Sequence, residues 1–114
     1  MIAFAHDHRV KMTVRKEFIS MASRDLERIR NAILDGRYTL TEHAYEEMDG
    51  DNLDVLDAES AILTGSIDQV LTMDRRGTRY VIVGNATDQA TPVGVVVRFV
   101  EHDHLLIIMV YEIK

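Results

Sequence analysis

The chain has no cysteine in its 114 residues. That excludes disulfides, thiolate metal sites and a cysteine nucleophile. Long hydrophobic runs are missing too. The longest, 105–111, falls far short of a membrane span. The apolar start Met1-Ile2-Ala3-Phe4-Ala5 is broken at His6-Asp7-His8-Arg9, too early for a signal peptide. A cytoplasmic protein without membrane association is expected. There is no glycine-rich phosphate loop, zinc-protease motif or serine elbow. Positive charge is absent from the middle of the chain. Residues 39–74 hold no Lys or Arg and ten Asp or Glu, whereas 1–38 are net +3 and 75–114 net +1. The total of −6 excludes a broad, sequence-independent grip on nucleic acid, but not a local basic pocket beside an acidic flank.

What is present suits a soluble globular protein. A chain this long buries roughly 65% of its unfolded surface, enough for a real core. Residues 1–22 read as a basic N-terminal arm and 23–114 as one α+β domain. Leu26, Ile29 and Ile33 stand at i, i+3 and i+7, with Leu34 widening the stripe. A helix is therefore predicted over 24–35, with Ser23 or Ser20 as N-cap and Gly36 just past its end. Tyr38-Thr39-Leu40-Thr41 reads as a short extended segment. Thr41 then caps a helix over 42–48, whose early glutamates suit a helix N-terminus. A third helix is predicted over 55–64, with Asp54 as N-cap, Leu53 stapled onto Ala58, and Gly65 at its end.

After Gly65 the hydrophobic period changes from 3.6 to 2. Strands are predicted over 66–73, 78–85, 93–101 and 104–113. Their short links imply an antiparallel meander. The expected architecture is two or three N-terminal helices packed on a four-stranded antiparallel sheet. The last two strands are apolar on both parities, so both sheet faces should be covered, one by helices and the other by a second subunit or a partner. If Glu101 pairs with His104, Arg98 lies opposite Ile107 and shares a face with Tyr111. Tyr80 joins that face only if Asn85 pairs with Val93.

Five stretches in order carry a family resemblance. They are Tyr38 to Met48 ("LTxHAxxxM"), Asp57 to Gly65 ("EAIxxG"), Arg76-Gly77-Thr78-Arg79-Tyr80 ("RGTKY"), Thr91 to Val96, and Ile107 to Tyr111. Together they resemble the domain-of-unknown-function family 4258, over about Leu26 to Ile113. Members resemble the RelE/BrnT-like toxins of bacterial toxin–antitoxin pairs, small α+β proteins that cleave RNA. The resemblance implies that fold, a ribonuclease activity and an antitoxin partner. One position departs: many members have Arg where this chain has Glu47.

Metal-free RNA cleavage needs a base for the 2′-hydroxyl, an acid for the leaving oxygen and cations for the phosphorane. His43 suits the base or acid, Arg79 and Arg98 the cations, and Tyr80 or Tyr111 a hydrogen-bond donor. The candidate catalytic set is His43, Arg79, Arg98 and Tyr111. Against it stand ordinary structural roles: a His–Glu47 pair at i, i+4, aromatic packing, and salt bridges to the acidic block. His6-Asp7-His8 and His102-Asp103-His104 each put two His on one side of a strand, but each supplies only two ligands where zinc takes three or four. No metal and no cofactor are expected. The leading expectation is a metal-independent endoribonuclease toxin acting on RNA, free or on the ribosome. The competing one is a non-catalytic module that dimerises or docks a partner through its sheet.

Overall fold

Thr41 and Asp54 start helices because each side chain accepts the backbone N–H three residues on, at 3.1 Å. The computed structural model describes residues 23–72 and 75–114. The basic arm, His6 and His8, and residues 73–74 lie outside the described residues. Helix α1 covers 23–34. Then come β1 (Tyr38–Leu40), α2 (Glu42–Gly50), α3 (Val55–Thr64), β2 (Ser66–Leu71), β3 (Arg79–Asn85), β4 (Pro92–Val100) and β5 (His104–Glu112).

The α+β class holds, but the four-stranded antiparallel meander does not. The sheet has five strands in the order β1-β5-β4-β3-β2, and β1 runs parallel to β5. The short extended segment before α2 thus becomes an edge strand. Beyond Leu40, α2 itself takes over the β5 edge. Thr41 donates its N–H to the Ile107 carbonyl at 3.0 Å and its hydroxyl to the Ile108 carbonyl at 3.0 Å. Further along, the Val110 N–H donates to Glu47 Oε1 at 3.3 Å and the Glu112 N–H to Asp51 Oδ2 at 2.8 Å. Backbone donors that a bare sheet edge would offer to another chain are therefore capped by carboxylates on α2 and at its C-cap.

The helices cover one face. α3 packs on β3 and β4, and α2 on β5. α1 contributes Ile29, Ala32 and Ile33 to the same core as Ile62, Ile82 and Val95. Leu34, predicted to widen the α1 stripe, is instead 70% exposed. Arg30 of α1 donates to the carbonyls of Ile62 (3.2 Å) and Gly65 (2.6 Å), closing the C-terminal end of α3. That end sits so close to β3 that a Cβ on Gly84 would stand 2.1 Å from the Ala61 carbonyl oxygen, so only glycine fits there.

Two bulges re-sort the strand faces. In β5 the pairing slips between Val96–Met109 and Val97–Ile107, leaving Ile108 as the extra residue. Leu105, Ile107 and Val110 consequently point into the core, while Leu106, Met109 and Tyr111 share the other face. A strict alternation would have grouped Tyr111 with Leu105. In β2 a similar slip beside Asp68 turns both Ile67 and Val70 inward. Val81 and Val96 are buried on the second face, outside the core cluster. No described helix lies on that face, and no helix among the described residues is long and apolar enough to cross a membrane.

Candidate functional site

Strand register decides which candidate residues meet. β4 and β5 close through a turn at Glu101–Asp103, with Val100 opposite His104. Arg98 therefore faces Leu106 rather than Ile107 near the turn. Past the bulge the expected register returns, with Gly94 opposite Tyr111. Arg98 and Tyr111 share the helix-free face. Asn85 pairs with Pro92, one residue short of the pairing that would have brought Tyr80 along. Tyr80 is instead a core residue whose hydroxyl donates to Asp25 Oδ2 at 3.0 Å. Burial, then that bond, pushes its pKa up to about 12.

The same register makes Arg79 and Arg98 direct cross-strand partners. Both are half-buried, and Leu71 and Leu106 flank them in the same row across the sheet. Like charges directly opposite one another repel. Moreover, Arg98 Nε is buried with no hydrogen-bond partner among the described residues. A buried donor on a cation is costly unless something accepts from it. The arrangement suits a bound anion, which answers the orphaned donor of Arg98.

Tyr111 lies on the same face, four residues along β4 from this pair, and is seated in an unusual way. A Cβ placed on Gly94 would stand 2.4 Å from Tyr111 Cζ, and 2.7 Å from both Cε2 and Oη. A point in the ring plane between Cε2 and Oη would be nearer to those atoms than to Cζ. The ring therefore lies face-down on the glycine, reaching over β4. Its hydroxyl makes no hydrogen bond to a described residue.

His43 stands apart from these three. It is near the start of α2, its side chain is 59% exposed, and its Nε2 is 3.7 Å from Glu47 Oε1. Since Glu47 caps the outer edge of β5, that strand lies between His43 and Arg98. Glu47 thus has a structural task at the position where a cation was expected.

The histidines of 102–104 do not share one side of a strand. His102 is in the turn, with φ 62°, followed by Asp103 at φ 55°. Arg28 holds Asp103 Oδ1 at 2.7 Å and stacks on Phe99, and Arg37 donates to the Asp103 carbonyl. His104 Nε2 instead meets Thr39 Oγ1 at 2.7 Å. Among the described residues no three His, Asp or Glu side chains form a group able to hold a metal.

Asp51 and Asp57 of the acidic block line a cleft of about 370 Å³ together with Asp88 and Glu112. Three of its carboxylates are committed to the fold. Asp51 caps β5, Asp57 accepts from the Thr87 N–H and hydroxyl at 3.0 and 2.8 Å, and Asp88 holds Thr91. Thr91's hydroxyl and backbone pull Asp88 down to about 2. Sequence reasoning missed Gly94, although a glycine inside a valine-rich strand is itself a mark of close approach.

Fold and site together define a small α+β domain, with helices on one face of a mixed sheet and an arginine pair with a tyrosine on the other. The chain belongs to the family of the domain of unknown function DUF4258, whose model matches residues 40–112. Neither the curated proteins nor the solved structures provide a match.

Proposed function

We propose that the helix-free sheet face binds RNA phosphodiesters and that the protein is a RelE/BrnT-like endoribonuclease toxin of a toxin–antitoxin pair. The observation that carries this reading is the buried, partnerless Nε of Arg98 set opposite Arg79. In the reaction, a base takes the proton of the 2′-hydroxyl, the 2′-oxygen attacks phosphorus, and the 5′-oxygen leaves with a proton. The products are a 2′,3′-cyclic phosphate and a 5′-hydroxyl. Arg98 and Arg79 stabilise the extra charge on the phosphorane. The Tyr111 hydroxyl donates to the phosphate or the leaving oxygen.

The test is induced expression together with RNA incubation of the purified chain. Growth arrest and 5′-hydroxyl fragments are expected, and Arg98→Ala should abolish both. A harmless wild-type chain that leaves RNA intact overturns the reading. A second reading has one specific support: Leu71 and Val100 lie 40% and 38% exposed on the same face. They suit a module that docks a second copy or a partner, and light scattering showing a stable dimer without RNA cleavage would favour it.

A further inference from the structure

The face-down seating of Tyr111 says more about the ligand than the arginines do. A phosphate alone needs only cations and donors. A phenol ring laid flat on a sheet leaves its outer face available for another flat group, and Tyr111 is only half-buried. The seat exists because Gly94 has no side chain. Any Cβ there would fall 2.4 Å from Cζ and tilt the ring off the strand. Glycine inside a strand weakens it, so the exception calls for a reason of its own. Arg98 lies four residues further along β4 on the same face, about 13 Å at roughly 3.3 Å per residue, so one extended strand of RNA can span both.

Resting on the RNA reading above, we propose that Tyr111 is a base-stacking platform and Gly94 its positioning residue. The substrate class is then single-stranded RNA, because a paired base has no free face to lay on the ring. Arg98 takes the phosphate and Tyr111 takes a base. The hydroxyl and the ring of Tyr111 thus act separately.

The experiment measures fluorescence anisotropy with two labelled strands of equal length. One is 2′-O-methyl RNA, which lacks the attacking hydroxyl, and the other is an abasic strand with the same phosphates. The wild-type chain should prefer the base-bearing strand about tenfold or more. Gly94→Ala and Tyr111→Leu should erase that preference, while Tyr111→Phe, which keeps the ring, should retain it. Arg98→Ala should weaken both strands alike. If Arg98→Ala weakens neither, the RNA reading fails and the platform with it. If Arg98→Ala weakens both but the wild type shows no base preference, the platform alone is wrong. A base preference that survives Gly94→Ala removes the role of Gly94. Thermal melts accompany each variant, and if Gly94→Ala does not fold, Tyr111→Leu decides.

Discussion

Arg98 faces Arg79 directly across the β3–β4 ladder, half-buried and with its Nε unsatisfied. Opposed like charges cost about 0.2–1 kcal/mol on a sheet. An unsatisfied buried donor costs about 1–3 kcal/mol. Replacing Arg98 by Met, which keeps the apolar stem, should therefore raise stability by about 1 kcal/mol, or a few degrees in Tm. The same variant should lose RNA binding. Stability and activity moving in opposite directions is what a site held ready for an anion predicts. A lower Tm for Arg98→Met would show that the guanidinium helps hold the fold.

Glu47 gives a prediction of the opposite sign. Its Oε1 accepts the Val110 N–H at 3.3 Å on the edge of β5. Glu47→Ala leaves that donor facing the helix and should cost about 1–2 kcal/mol in urea unfolding. Glu47→Gln keeps an acceptor and should cost less than half as much. Glu47→Arg offers only donors to a donor and should be the worst of the three. His43→Ala should change stability by less than about 0.5 kcal/mol, because its pairing with Glu47 is largely solvated. Equal stability for Glu47→Ala and wild type would mean that water satisfies Val110 as well as the carboxylate does.

These two residues also mark how far sequence reasoning reached. Helix starts were legible because a cap is a local code: Thr41 and Asp54 each bind a backbone N–H three residues on. The long strands were legible from their period. β1 was not, since three residues carry no signal of their partner, and a parallel pairing with β5 spans most of the chain. The bulge at Ile108 was hidden as well. Nothing in an apolar run tells which residue will leave the ladder; Arg98 and Tyr111 share a face as expected only because this slip offsets the one-residue shift at the turn. Glu47 looked like a missing cation because its partner is a strand N–H far along the chain.

Asp57 should set part of the acid limit of folding. It closes the capping box of α3 with Asp54 and accepts from Thr87. The Thr87 N–H, chiefly, holds its carboxyl below the usual carboxylate range. The unfolded chain, with an Asp pKa of about 3.9, therefore binds the proton first. The stability Asp57 supplies is complete above that value and is lost as pH falls through its lower folded pKa. Asp57→Ala should cost about 1–2 kcal/mol at neutral pH and flatten the acid limb of stability against pH. A variant with an unchanged acid limb would show that solvent screening removes the effect.

The alkaline limit belongs to Tyr38 and Tyr80. The Tyr38 hydroxyl donates to Glu59 Oε2 at 2.5 Å, and that bond above all pushes its pKa up to about 12. Tyr80 reaches about 12 mainly through burial. An unfolded tyrosine ionises near 10 (about 10 in peptides), so the folded chain holds these protons longer. Both groups lend stability that is full below the unfolded value and is lost as pH rises through about 12. Tyr80, the more enclosed of the two, should dominate, since solvent screens the Tyr38–Glu59 pair. Tyrosinate absorbance should therefore climb together with the loss of far-ultraviolet dichroism within that window. Tyr80→Phe cannot ionise and should move the alkaline midpoint upward, even as it gives up the Asp25 bond at neutral pH. If Tyr80 instead ionises at about 10 while the dichroism stays native, it is not sealed in the core and its bond to Asp25 opens freely.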